Sequence, residues 1–260
     1  MRNAGDASST GQEVPAHGGS FKSVNLGTGK KLPLWASVVR NLLIALVAVA
    51  LVQALLVKVY HVPSGSMEQT LQGSEGGGDR ILVNRLAYAG TPPRQGDVIV
   101  FTRPDSWQAG SAVARGGGLG AVARTFGDLI GIGSSNEQFL VKRVVATGGQ
   151  TVSCCGQDGK LRINGHPVDE PYIFEDLPFE AGALDCQSGP RSARCFPDFT
   201  VPDGELVVLG DHRSRSSDSV AACRSQAVAG ADCIRTVDTS AVIGEVILRV
   251  WPLDHLGGIG

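Results

Sequence analysis

Phe139–Ala146 reads FLVKRVVA, an apolar run rich in β-branched residues. Such a run, followed by the turn residues Gly148 and Gly149, is typical of a buried strand. Similar runs recur as RILVN, DVIVF, LVVL and AVIGEVILRVW, which begin at residues 80, 97, 206 and 241. Because no helical crossover separates them, the sequence predicts a mainly β fold. We expect an antiparallel β domain over residues 59–260, with a smaller inserted lobe over 149–200.

A longer apolar segment precedes these runs. Leu42–Val57 reads LLIALVAVALVQALLV, and apolar residues from Trp35 onward extend it past Arg40. Together they approach the ~20 residues that cross a bilayer. We predict a single transmembrane signal-anchor helix over residues 38–58, because no small-residue cleavage site follows it. The alternatives are a cleaved signal peptide and the core helix of a soluble domain.

The flanks of this segment predict its orientation. Residues 1–37 carry more Lys and Arg than Asp and Glu, whereas only Lys58 lies just beyond the apolar segment. By the positive-inside rule, the N-terminus is cytoplasmic. We therefore expect a single-pass plasma-membrane protein with a disordered cytoplasmic tail over 1–37, because that tail is rich in Gly, Ser and Thr. The β domain would be extracytoplasmic.

Composition limits the possible partners. The formal net charge is −2 over 260 residues, so no broad basic surface favours nucleic acid. The lipid bilayer is the partner that the apolar segment implies. Residues 103–138 interrupt the strand pattern with a Gly-rich stretch. We interpret this stretch as a flexible insertion; the alternative is a short amphipathic segment that touches the membrane.

All cysteines follow the apolar segment, which places them where disulfides persist. They are Cys154, Cys155, Cys186, Cys195, Cys223 and Cys233. Neither C-x-x-C nor a zinc-type Cys/His spacing occurs, so we expect no metal. Cys186/Cys195 and Cys223/Cys233 could each close a local loop. Adjacent Cα atoms lie ~3.8 Å apart, below the usual disulfide range of ~4.4–6.8 Å. We therefore expect no bond between Cys154 and Cys155.

Two residues suggest nucleophilic catalysis. Ser66 lies in a Pro-Ser-Gly-Ser-Met turn soon after the apolar segment, and a nucleophilic serine needs a base. His61 and His212 are possible bases. Lys142 is unusual because it lies inside the apolar run, where burial would favour the neutral amine that a general base requires. The alternative is that Lys142 lies on an edge strand and points to water.

A polar loop follows the LVVL run. Gly210–Ser219 reads GDHRSRSSDS. It could be merely solvated. It could also supply a hydroxyl that orients the lysine, together with carboxylate–guanidinium pairs that fix the loop.

Four blocks in this order resemble the bacterial type I signal peptidases (leader peptidases), a family of serine proteases with a Ser/Lys dyad. The blocks are VPSGSM, GDRILVNRLAY, FLVKRVVATGGQTV and VPDGELVVLGDHRSRSSDS, which begin at residues 62, 78, 139 and 201. The resemblance spans about residues 58–251. It implies a monomeric endopeptidase that removes N-terminal signal peptides from exported preproteins at the outer face of the membrane. It implies cleavage after small residues (Ala-x-Ala type), without a cofactor.

The resemblance also implies residue roles. Ser66 is the nucleophile, Lys142 the general base, and the Ser66 N–H and the Ser64 hydroxyl form the oxyanion hole. Ser216 hydrogen-bonds the lysine and orients it. The polar loop over Gly210–Ser219 would be braced by Asp211, Arg213 and Asp218. Shallow apolar substrate pockets would be lined by Val62, Met67, Leu71 and Val141.

Two departures from the family pattern affect these expectations. Glu68-Gln69 stands where a proline is common at the second position, so the turn after Ser66 can differ. Val220 stands where an arginine is usual, so the ion pair to Asp218 is either absent or supplied by Arg224. Two rival interpretations remain: another Ser/Lys hydrolase, and a disulfide-stapled β domain for adhesion or sensing. The penicillin-binding type is excluded because S-x-x-K and K-T-G do not occur.

Overall fold

The computed structural model describes residues 33–74, 78–104, 107, 139–225 and 230–259. Most of the predicted disordered tail and most of the 103–138 insertion lie outside the described residues, so both interpretations remain predictions. Two compact units are present, Met1–Leu42 and Leu43–Gly260. The described part of the first unit is the beginning of one helix.

The apolar segment forms helix α1, Leu34–Leu55. The helix begins directly after Pro33, four residues before the predicted start, and the chain is already a strand at Val57. Within the helix, Leu34–Val52 has a mean hydropathy of 2.1 and is 0% buried. Among the described residues this is the one helix long and apolar enough to cross a membrane, by length and composition.

The main sheet confirms the predicted antiparallel β architecture. It has eight strands in the order β1-β2-β11-β3-β4-β9-β10, with β12 beside β11, and the strand pairs among the described residues are antiparallel. The strands are β1 Val57–His61, β2 Arg80–Asn84, β3 Val98–Thr102, β4 Phe139–Thr147, β9 Glu205–Leu209, β10 Val237–Asp238, β11 Val242–Trp251 and β12 Gly257–Gly258.

A smaller second sheet forms within the range predicted for the inserted lobe. Its order is β7-β6-β5-β8, again antiparallel. The strands are β5 Thr151–Cys154, β6 Arg162–Ile163, β7 His166–Pro167 and β8 Phe196–Thr200. Two of its strands have only two residues, so most of this region is loop.

Strand β4 is an interior strand of the main sheet. It pairs with β3 on one side and β9 on the other, and Val141–Ala146 are buried. Because successive side chains alternate between the faces of a sheet, Lys142 and Arg143 point to opposite faces. Lys142 is therefore not an edge-strand lysine that points to water, and that alternative is wrong.

The disulfides require one correction. Cys186–Cys195 and Cys223–Cys233 are bonded, as their spacing suggested. Cys154 and Cys155 are also bonded to each other, contrary to the prediction. The prediction assumed a trans peptide, whereas the peptide here is cis and the two Cα atoms lie 3.0 Å apart.

Candidate active site

Ser66 lies in a short 3₁₀ turn, Gly65–Met67, that follows β1. The turn is held from the loop after β9, because the His212 N–H donates a 3.1 Å hydrogen bond to the Ser66 carbonyl oxygen. Gly210 makes this approach possible. A Cβ at position 210 would lie 2.4 Å from the Ser66 carbonyl oxygen and 2.3 Å from Ser216 Oγ. The loop can therefore approach the nucleophile only with glycine there.

Lys142 reaches the same turn from the interior strand β4. It is 2% exposed, and its Nζ atom donates a hydrogen bond to Ser66 Oγ. Burial lowers the pKa of Lys142 to about 8. Nearby Asp218 and Asp211 oppose this shift by raising the pKa, whereas Arg224 and Arg103 lower it. The amine can therefore lose its proton near neutral pH and then accept one from the Ser66 hydroxyl.

Ser64 lies beside this pair. Its hydroxyl oxygen is 3.4 Å from Ser66 Oγ, across the single residue Gly65. Ser64 itself is exposed, whereas Ser66 is buried. A hydroxyl that is both close to the nucleophile and open to solvent can reach an oxygen of a bound substrate.

Ser216 differs from expectation. Its Oγ atom is buried and makes no hydrogen bond among the described residues, so the predicted bond to Lys142 is not formed. The Arg224 guanidinium holds the Ser216 carbonyl, and the hydroxyl lies against Gly210 instead. The lysine amine is engaged by Ser66 Oγ.

Asp211 forms the central ion pair of the loop. Arg143 binds it through two hydrogen bonds of 3.0 and 2.8 Å, and the side chains are 5% and 0% exposed. Thr70 Oγ1 donates a third bond of 2.5 Å to the same carboxylate. Sequence reasoning missed Arg143 and Thr70. The sequence did carry a signal for Arg143, because it is a second charged residue inside the apolar run and alternation places it on the face opposite Lys142.

The other two bracing residues also form ion pairs. Arg213 binds Glu170 at 2.6 Å and donates through Nε to the Gly210 carbonyl oxygen. Asp218 accepts two bonds of 3.0 Å from Arg224 and one of 3.2 Å from the Gly210 N–H. Arg224 therefore supplies the ion pair that Val220 cannot, which was one of the two alternatives. Glu170 was not anticipated.

His212 is not bonded to the nucleophile through its ring. Nδ1 lies 3.1 Å from Glu68 Oε2, and Nε2 lies 3.2 Å from Glu175 Oε2. The other possible base, His61, accepts a 3.2 Å hydrogen bond from the Gly78 N–H. The geometry therefore favours Lys142 over either histidine as the base for Ser66.

The predicted pocket residues need a correction. Val62, Met67, Leu71 and Val141 belong to one core cluster with Ile81 and Val83, and none of the four is more than 5% exposed. They are packed core beneath the Ser66 turn rather than the lining of an open pocket. Val141 enters this cluster from β4, whereas the other three enter it from the chain that follows β1.

The one group of described residues with metal-ligand spacing is a set of sulfur atoms. The Sγ atoms of Cys155, Cys186 and Cys195 lie within 4.8 Å of one another. All three are in disulfides, so none is available as the thiolate that binds a metal.

Comparison with known proteins shows the family to which the chain belongs. The family described as "Signal peptidase, peptidase S26" matches residues 35–251. The chain is 38% identical over 244 residues to "Probable signal peptidase I" of Mycobacterium leprae (strain TN), covering 89% of this chain and 81% of that one. It is 38% identical over 223 residues to "Signal peptidase I" of Mycobacterium tuberculosis (strain CDC 1551 / Oshkosh), covering 82% and 72%. A crystal structure of a signal peptidase I from Enterococcus faecalis V583 aligns with a TM-score of 0.32 at 23% identity, over 59% of this chain and 96% of that one.

Proposed function

The chain belongs to the signal peptidase family, peptidase S26, and is a serine peptidase; we propose that it removes N-terminal signal peptides from exported preproteins with a Ser66/Lys142 dyad. The observation that carries the proposal is the buried hydrogen bond between Lys142 Nζ and Ser66 Oγ. A lysine whose pKa is lowered to about 8 by burial supplies a base that needs no histidine.

In the proposed reaction, neutral Lys142 accepts the Ser66 proton as Oγ attacks the scissile carbonyl carbon. The tetrahedral intermediate collapses to an ester between Ser66 and the signal peptide. Lys142 gives its proton to the departing amine of the mature protein. The neutral lysine then takes a proton from water, which attacks the ester, and Ser66 is regenerated.

We propose that the developing oxyanion binds the Ser66 N–H and the Ser64 hydroxyl. The 3.4 Å separation of the two serine oxygens supports this, because a carbonyl attacked by Ser66 would lie within reach of Ser64. Charge builds on that oxygen only during attack. Ser64→Ala should therefore lower kcat by about 10²–10³ with little change in KM, and Ser64→Thr should keep much of the activity.

Cleavage after small residues, of the Ala-x-Ala type, is part of the proposal. The match to the signal peptidase family supports it, because signal peptides typically end in a small-residue cleavage site of this type.

We also propose that the β domain works, as a monomer, on the outer face of the plasma membrane, with α1 as the bilayer anchor and the N-terminus in the cytoplasm. The cysteines of this domain support the orientation. All six are in disulfides, which persist in oxidising compartments. The excess of positive charge before α1 points the same way.

The test is cleavage of one purified preprotein by the full-length protein and its variants. Ser66→Ala and Lys142→Ala should each abolish cleavage, and the double variant should be no worse, because the two residues act as one unit. Exposed Ser217 and Lys160 provide matched controls that should remain active when changed to alanine. Substantial cleavage by Ser66→Ala, or loss in the controls, contradicts the dyad.

A further inference from the structure

His212 has an unusual environment for a loop residue. The side chain is 1% exposed, yet each ring nitrogen lies within 3.2 Å of a carboxylate oxygen, one from Glu68 and one from Glu175. Carboxylate oxygens accept hydrogen bonds, and an imidazole N–H group donates them. A buried imidazole between two carboxylates holds two separate segments of chain together.

The first of these segments carries the nucleophile. The Glu68 carboxylate folds back over the turn, so closely that a Cβ at Gly65 would lie 2.5 Å from its Oε1 atom. The backbone of His212 also donates to the Ser66 carbonyl oxygen. One residue therefore holds the Ser66 turn at two points: the main chain at Ser66 and, through the ring, the side chain of Glu68.

The second segment supports the ring from the other side. The Phe174 N–H donates to the Asp211 carbonyl oxygen at 2.9 Å, and the Ser214 N–H donates to the Glu175 carbonyl oxygen at 3.1 Å. The Phe174 ring meets the His212 ring edge-to-face, with 5.0 Å between centroids. The imidazole thus has a fixed position from which it can hold Glu68.

We propose that His212 is a positioning residue for Ser66, which acts by holding the Glu68 carboxylate over the nucleophile turn. This inference rests on the proposed function, since it assigns His212 to the placement of that nucleophile. Lys142 approaches Ser66 from the sheet below, whereas His212 and Glu68 fix the turn from the loop side. A nucleophile that shifts by about 1 Å typically loses around 10²-fold in rate.

The two amide substitutes at position 212 separate the two contacts of the ring. An asparagine amide nitrogen occupies roughly the place of Nδ1, which faces Glu68. A glutamine amide nitrogen occupies roughly the place of Nε2, which faces Glu175. His212→Asn therefore keeps the contact that the proposal requires, and His212→Gln keeps the other one.

The experiment measures kcat, KM and thermal midpoint on one signal-peptide substrate. His212→Ala and His212→Gln should lower kcat about 10²-fold with KM within about twofold, and His212→Asn should retain most of the wild-type kcat. Glu68→Ala should reproduce the loss without altering the buried ring, and the Glu68→Ala/His212→Ala double variant should be no slower than either single one. His166→Ala, an exposed histidine on β7, is the control.

Four results would overturn the inference. The first is a fully active His212→Ala. The second is a His212→Gln that works while His212→Asn does not. The third is a loss of activity that, in each variant, is fully explained by a loss of folded protein. An inactive His212→Asn with a wild-type thermal midpoint would instead indicate a Ser–His enzyme and overturn it as well. Failure of the proposed function is separate, because only that failure leaves Ser66→Ala active.

Discussion

The site loop and the inserted lobe are stabilised in different ways. Around the site, charged side chains are buried and paired, as in Arg143–Asp211 and Arg213–Glu170. In the lobe over 149–200, strands are short and the Lys160–Asp169 ion pair is open to solvent, with side chains 47% and 86% exposed. Two of the three disulfides, Cys154–Cys155 and Cys186–Cys195, lie in this lobe.

This difference reflects what each region must do. Burying a charge is expensive, so a buried ion pair is a weak source of net stability but a strong constraint on geometry once its hydrogen bonds are made. A region with little sheet buries little apolar surface, and cross-links that restrict the unfolded chain compensate. We therefore expect changes near the site, including the lobe residues Glu170 and Glu175 that bind the site loop, to affect activity and stability together. Changes in the rest of the lobe should affect stability alone.

The largest expected effect is on activity as a function of pH. Burial lowers the pKa of Lys142 to about 8, and only the neutral amine can act as the base. Below that pH, kcat/KM should fall about tenfold per unit, or roughly 10³-fold between pH 8 and 5. Arg103 contributes to the lowered pKa, so Arg103→Met should move the rising limb to higher pH. A flat profile between pH 5 and 8 would exclude Lys142 as the base.

The same pKa shift has a consequence for stability. Because the folded-state pKa lies below the usual lysine value of 10.5, the unfolded chain binds more protons between about pH 8 and 10.5, and stability should rise with pH across that window. Lys142→Met should remove this rise. Urea unfolding at several pH values measures it.

Next in size is the buried pair at the centre of the loop. Asp211→Ala leaves the Arg143 guanidinium buried without its partner, so the free energy of unfolding should fall by about 3–5 kcal/mol. Adding Arg143→Met should recover much of that loss, because the buried charge is then removed. Asp169→Ala, at an exposed carboxylate, is the control. Urea unfolding measures the free energy of unfolding of each variant. A loss for Asp211→Ala no larger than the loss for Asp169→Ala would contradict the expectation.

The disulfides sharpen the contrast between the regions. Cys186–Cys195 and Cys223–Cys233 close loops of similar length, with separations of 9 and 10 residues. Replacing either pair by serine should cost about 2–3 kcal/mol of unfolding free energy. Only the second should lower kcat, because Cys223 is adjacent to Arg224, which binds Asp218. Equal losses of kcat in the two variants would show that the lobe is coupled to the site.

The smallest effect is expected at the lobe surface. Lys160 and Asp169 lie 2.5 Å apart, almost the same separation as the 2.6 Å of Arg213 and Glu170. Lys160→Ala should leave the thermal midpoint unchanged, because solvent screens exposed pairs. Arg213→Ala should lower the midpoint clearly, because it leaves Glu170 buried alone. Similar shifts for both would refute the distinction between the regions.

Local patterns determined much of this protein from its sequence. Apolar β-branched runs predicted the strands of the main sheet, and the lack of helical crossovers between these runs predicted antiparallel pairing. The charged Lys142 inside one such run, together with the Ser-Gly-Ser turn, predicted the two residues that the fold brings into contact. These features depend on residues that are close in sequence, so the periodicity of the apolar residues reveals them.

Only the tertiary structure decided which distant groups meet. The register of β3, β4 and β9 brings Arg143 to Asp211 across 68 positions, and the turn after Ser66 brings Thr70 to the same carboxylate across 141. The ring of His212, a possible base by residue type, is turned to Glu68 and Glu175 instead of Ser66. The Cys154–Cys155 bond depends on one peptide conformation that spacing does not encode. Partner choice follows from strand register and loop packing, which are properties of the assembled sheet and not of any single segment.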